Sequence, residues 1–211
     1  METDAYVTDL LQTENYTGFT VLYEGYESVG LPEGIWDEIL LQYCRGARKK
    51  PVWVISGMDF DKEGDLNQIA QDLRTVLLLK KTDKDGVKNA LLNGRMYVAC
   101  GKESSKFVLD KFTLGNTYTA DEVPMGKSLE IKGSARLRIQ GHFLNGQNRN
   151  ITIKLIRNAK IIKLFEESSP FDIIYDDNGT YENSMNYYRI EIDADGLIVI
   201  SNPVFARAAY K

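Results

Sequence analysis

Apolar and polar positions follow two different rhythms along the chain. Up to about Gly101, spacings of three and four alternate with short continuous apolar runs. Thr17–Tyr23 is rich in β-branched and aromatic residues and predicts a strand. After Pro32-Glu33-Gly34, the residues Ile35, Trp36, Ile39, Leu40, Tyr43, Cys44 and Ala47 form one stripe of an amphipathic helix. Pro51 closes that segment. Val52–Ile55 is then apolar without interruption, the pattern of a strand covered on both faces, as in a parallel sheet. A short helix over Leu66–Leu73 and a strand over Thr75–Leu79 are predicted next. Thr82–Asp85 has the form of a capping box and opens a helix whose buried face would be Val87, Ala90 and Leu91. Asn93-Gly94 stops it in the left-handed region, and Arg95–Cys100 reads as a further strand.

From about Lys106 the period becomes two. Ala135–Gln140 alternates apolar with polar side chains, and Arg157–Lys160 joins the strands Ile151–Ile156 and Ile161–Phe165 as a hairpin turn. Tyr188, Ile190 and Ile192 alternate with Arg189 and Glu191, and Asp195-Gly196 returns the chain through Leu197–Ile200. The predicted fold class is therefore α+β, in two units. Residues 1–104 form an α/β segment with the rhythm of a layer or partial barrel, and residues 105–211 form an antiparallel β-sandwich.

Composition narrows the chemistry. With 26 Lys+Arg against 30 Asp+Glu, the net charge of −4 argues against a nucleic-acid partner, and Arg45–Lys50 reads as a solvated basic helix end. The longest apolar run, Thr75–Leu79, falls far short of the roughly 18 residues that cross a bilayer, so no membrane association is expected. The first residues are acidic where an export signal is basic, and Cys44 and Cys100 lack a C-x-x-C spacing. Both features fit free thiols in a cytoplasmic, reducing compartment. His142 is the single histidine in 211 residues. It has no acidic or cysteine neighbour in sequence and reads as a surface or hydrogen-bonded residue. The acids Asp172, Asp176, Asp177, Asp193 and Asp195 read as turn chemistry or a calcium site. The 12 tyrosines fill sheet faces or line a sugar-binding face.

The densest chemistry is Ser56–Asp65 (SGMDFDKEGD), directly after the buried strand, where α/β folds place their sites. An EF-hand is excluded, because its bidentate twelfth position would be Ala70 and a strand precedes the loop. Two readings remain open: Asp59 and Asp61 ligate a metal, or they cap the helix that follows.

Three segments in this order, Pro51–Asp61, Arg74–Val76 and Asn89–Tyr97 (NALLNGRMY), resemble the later part of the PHP (polymerase and histidinol phosphatase-like) metal-dependent hydrolases. Ile153–Asn158, Tyr187–Arg189 and Ile200–Phe205 resemble the β-rich carboxyl-terminal domain found in part of that family. The resemblance implies a partial PHP-type (β/α) barrel followed by the sandwich. It implies phosphoesterase-like chemistry with zinc, manganese or iron in a complete member. Asp59 matches the family's metal-binding Asp, and Asp61 stands where the family has a metal-binding His. Arg74 and Arg95 are candidates to hold a substrate phosphate or to pair with the acidic loop. The family's His-x-His has no counterpart here, so no tightly bound cofactor is expected, and the expected partners are the missing amino-terminal half of the barrel or a second copy. Two functions follow. The chain is a portion of a PHP-like phosphoesterase, inactive alone, or a non-catalytic module whose β-sandwich serves interaction or carbohydrate binding on a degenerate PHP scaffold.

Overall fold

The computed structural model describes residues 4–23, 26–27, 29–57, 72–179 and 185–209. The predicted helix over Leu66–Leu73 falls almost entirely outside them. Helix α1 (Asp4–Gln12), which has no counterpart in the sequence reading, precedes strands β1 (Gly18–Tyr23) and β2 (Tyr26–Glu27). Helix α2 (Ile35–Cys44) then crosses to β3 (Trp53–Gly57), which runs parallel to β1. This βαβ unit is what the stripe of α2 and the apolar run of β3 predict.

The next elements depart from expectation. Strands β4 (Leu73–Leu77) and β5 (Met96–Cys100) flank helix α3 (Lys84–Leu92), yet they pair antiparallel. Their ladder is not part of a barrel: β5 continues onto β14 (Ile198–Ser201). The expected partial (β/α) barrel is thus overturned. Among the described residues 49% are strand and 15% helix, with three helices and several sheets but no helical barrel. A barrel requires successive parallel strands under crossover helices, and α3 crosses between antiparallel ones. Accordingly α3 packs lightly. Asp83, one residue beyond the predicted cap, accepts from the Gly86 amide, and only Ala90 is buried while Val87 and Leu91 are exposed.

The remaining strands are β6 (Phe107–Asn116), β7 (Glu122–Pro124), β8 (Ser128–Ile131), β9 (Ala135–Phe143), β10 (Asn150–Arg157), β11 (Lys160–Ser168), β12 (Phe171–Asp177), β13 (Met185–Asp193) and β15 (Val204–Ala208). One four-stranded sheet has the order β12-β9-β6-β7. An eight-stranded sheet has the order β11-β10-β13-β14-β5-β4, with β15 on β13 and β8 on β15. The two sheets share a core to which Phe112, Leu137 and Ile139 contribute from one side and Ile153, Tyr188 and Ile190 from the other.

The eight-stranded sheet is covered on its second face as well. Met96, Val98, Tyr187, Ile200 and Phe205 pack there against Phe19, Val21, Trp36, Ile39, Leu40 and Val54 of the βαβ unit. Burial on both faces explains why every residue from Asn186 to Ile192 is buried, although the sequence alternates polar with apolar. Arg189 and Glu191, which alternation would turn to solvent, are 0% and 5% exposed.

Candidate functional site

Charges buried between two layers must be paired, and the pairing defines the joint. Asp37, in the first turn of α2, is fully buried. Arg189 of β13 donates to its Oδ1 through Nε at 2.7 Å and to its Oδ2 through Nη2 at 2.9 Å. Nη2 also donates to the Gly30 carbonyl, and the guanidinium lies 4.9 Å from the Trp36 ring centre. Burial by itself pulls the Arg189 pKa down, but the hydrogen bonds and charge of Asp37 outweigh it and hold the guanidinium above its ordinary value. The Tyr187 hydroxyl donates to Asp37 Oδ1 at 2.7 Å. Burial first, then the neighbouring carboxylate, pushes that phenol far above its usual range, so it stays a neutral donor.

A second link lies at β3. The Val54 amide donates to Asn202 Oδ1 at 2.9 Å, and Asn202 Nδ2 donates to the carbonyls of Val54 and Met96 at 3.1 and 3.0 Å. One carboxamide thus occupies the place of a neighbouring strand along β3. Farther along, the Ser56 amide donates to Thr75 Oγ1 of β4 at 2.9 Å, and the two hydroxyls are also 2.9 Å apart.

These links fix where β3 ends. Its carboxyl end, Gly57, leads into residues 58–71, so Asp59 and Asp61 lie outside the described residues. Arg74 sits at the start of β4, next to Thr75 and opposite Ala99. Arg95 immediately precedes β5 at the other end of the ladder and donates to Asn89 Oδ1 of α3 at 2.5 Å. At about 3.4 Å per residue, the two arginines stand about 14 Å apart along the strands and share no site.

His142 lies elsewhere again. The β6–β9 register shifts between Leu109 and Lys111, and the extra residue, Asp110, brings its Oδ2 to 2.7 Å from His142 Nδ1 on the four-stranded sheet. No group of three or more His, Cys, Asp or Glu side chains comes together for a metal among the described residues. A multi-metal centre of the PHP kind needs several imidazoles, and the chain's one imidazole belongs to a different sheet from β3. The donor set of this chain does not fit such a centre.

The acids of the sandwich are likewise engaged. Asp172 and Asp176 of β12 take bidentate hydrogen bonds from Arg138 and Arg136 of β9. Asp177 accepts from Arg157 at 2.6 Å and from the Tyr188 hydroxyl at 2.7 Å.

A cleft of about 480 Å³ opens over the Asp37 network, between α2 and the β10–β11 hairpin. Glu33, Glu38, Leu41 and Arg45 form one wall, and Arg157 to Lys160 with Ile162 form the other. Glu33, Asn158 and Ala159 have φ of 65°, 48° and 73°, unusual for residues with a Cβ. The buried network holds all three. The Glu33 amide donates to Asp37 Oδ2, and the Ala159 amide donates to the Tyr187 hydroxyl. Asn158 Oδ1 accepts from the Tyr187 amide, and its Nδ2 donates to Asn186 Oδ1. The cleft presents charges of both signs and carboxamides. Neither it nor the buried network was legible as a site, because Asp37 and Arg189 are 152 residues apart.

No family model matches the chain, and no curated protein matches it. Among solved structures, the crystal structure of an engineered protein is similar at 12% identity and a TM-score of 0.28, over 41% of this chain and 18% of that one. The chain thus spans less than a fifth of that protein.

Proposed function

We propose that this chain is the support portion of a PHP-like metal-dependent phosphoesterase, contributing Asp59 to a divided site that it does not complete alone. The observation that supports this reading is where the resemblance-bearing segments meet. Tyr187 and Arg189 bond Asp37, and Asn202 bonds Val54 of β3. Gly94, at φ 62°, leaves room for the Trp53 ring, which a Cβ there would approach to 2.4 Å. These segments are scattered over the sequence, yet they converge on the seating of the parallel strand that leads to Asp59. Cys44 and Cys100 are free thiols, which agrees with a cytoplasmic location.

The test is turnover of p-nitrophenyl phosphate with added Mn²⁺. The chain alone is expected to be inert. It is expected to gain activity with the His-x-His-bearing segment, encoded in frame or as a separate polypeptide of the same genome, and to lose it on Asp59→Ala. Turnover by the chain alone that survives Asp59→Ala overturns the proposal, as does a mixture that stays inert.

The cleft over Asp37 favours a second reading, a non-catalytic interaction module. Glu33 is held at positive φ on one wall of the cleft, where backbone strain is a feature of ligand sites, and the central residues of the β10–β11 turn, Asn158 and Ala159, stand on the other. Both charge signs beside Leu41 and Ile162 suit a peptide segment. Amide shifts at Glu33 and Ala159 on titration with a mixed-charge peptide, absent with maltotriose, are the expected signature. An unperturbed cleft in both titrations discards this reading.

A further inference from the structure

The eight-stranded sheet ends on β11, which pairs with β10 on one side and, among the described residues, with no strand on the other. An edge of nine residues presents a row of unpaired amides and carbonyls about 30 Å long, a template for another strand. This edge is also apolar where most edges are not. Ile161 is 45% and Leu164 54% exposed. A bulge at Ile162 of β11 sets Ile161 opposite Ile156 and Leu164 opposite Lys154, so both apolar residues stand on one face. The ring of Phe165, centred 5.8 Å from that of Tyr175, places β11 over β12, the terminal strand of the other sheet, whose Ile174 is 60% exposed.

The charge order of β11 selects among partners. Lys160 and Lys163 occupy its first half, and Glu166 and Glu167 its second. A parallel copy would set like charges side by side. An antiparallel copy, related by a two-fold axis near Leu164, brings the lysines of each strand alongside the glutamates of the other, twice over. The same axis gathers Ile161 and Leu164 of both copies on one face at the centre. Two of the four charges are already held on the sheet: Thr152 Oγ1 donates to Glu166 Oε2 at 3.0 Å, and Lys163 Nζ lies 5.8 Å from the Phe165 ring centre. The lysines of an edge strand ordinarily repel strand addition. Here their order favours a partner whose charges run in the opposite sense.

We propose that the chain self-associates by antiparallel pairing of β11 with β11 of a second copy, joining two eight-stranded sheets into one. This reading is independent of any metal chemistry at Asp59. The test is sedimentation equilibrium on two charge-reversed forms, K160E/K163E, whose strand is wholly acidic, and E166K/E167K, whose strand is wholly basic. The native chain is expected to form a concentration-dependent dimer. Each form alone is expected to weaken association at least tenfold, and an equimolar mixture is expected to restore a one-to-one heterodimer. That restoration requires both forms to be folded. A native chain that stays monomeric overturns the proposal. So does either reversed form that dimerises like the native chain, or a mixture that fails to associate. Capture of a strand from a different protein by a monomeric native chain would equally overturn it.

Discussion

The Asp37–Arg189 pair offers the sharpest test of how the layers are joined. Asp37→Ala removes a carboxylate that accepts from Arg189 Nε, Arg189 Nη2, the Tyr187 hydroxyl and the Glu33 amide. The guanidinium is 0% exposed and already carries one nitrogen, Nη1, without a hydrogen-bond partner. It cannot be rehydrated without opening the core. Breaking a buried pair in this way costs about 3–5 kcal/mol, a large share of a typical stability of about 5–15 kcal/mol. The double replacement D37L/R189M removes both charges. Its transfer energetics alone would be neutral or favourable, but the Tyr187 hydroxyl, the Glu33 amide and the Gly30 carbonyl lose their partners, each costing about 1–3 kcal/mol if left unmatched. The double variant is therefore expected to be less stable than the native protein yet more stable than either of its single replacements, Asp37→Leu or Arg189→Met, with a coupling of about 2 kcal/mol or more. Urea unfolding followed by tryptophan fluorescence reads the cycle directly, since Trp36 stacks on Arg189. Added salt should leave the coupling almost unchanged, because buried charges are poorly screened. An Asp37→Ala loss under about 1 kcal/mol, or simple additivity in the double variant, would refute the reasoning.

Asn202→Ala strips hydrogen bonds from Val54 N–H, Val54 C=O and Met96 C=O, all buried. A loss of about 2–4 kcal/mol is expected, with the Val54 amide showing the largest gain in hydrogen exchange, and unchanged exchange there would contradict the role of Asn202 as a stand-in strand. Burial pushes the Cys44 thiol up to about 12, and the more accessible Cys100 is raised less. A raised pKa leaves less thiolate at neutral pH, so iodoacetamide should label Cys100 before Cys44 in the native protein and both alike in urea, as read by peptide mass spectrometry; equal native rates would show that Cys44 is not sealed.

What was legible in the sequence was local. The stripe of α2, the apolar run of β3 and the hairpin at Arg157–Lys160 announce themselves by spacing, and each forms as read. Strand sense is not local, and that is why the barrel expectation failed. Helix α3 between two strands looks the same in sequence whether the strands it joins are parallel or antiparallel, and here β5 takes β14 as its second neighbour across about a hundred residues. The third layer was hidden for a related reason. Alternation assigns Arg189 to solvent because a charged residue on a strand normally faces water. Its actual neighbour is a carboxylate on α2, visible only once the βαβ unit lies on the sheet. Asp110 shows the same limit at smaller scale, since only the bulge between Leu109 and Lys111 brings it to His142. Buried polar residues are therefore the informative ones in this chain. Apolar residues could have packed in many arrangements, but a carboxylate with four donors and a carboxamide bridging two backbones are satisfied in one arrangement only. It follows that Asp37, Arg189 and Asn202 specify the seating of β3, as far as its carboxyl end at Gly57, more strictly than the apolar core around them.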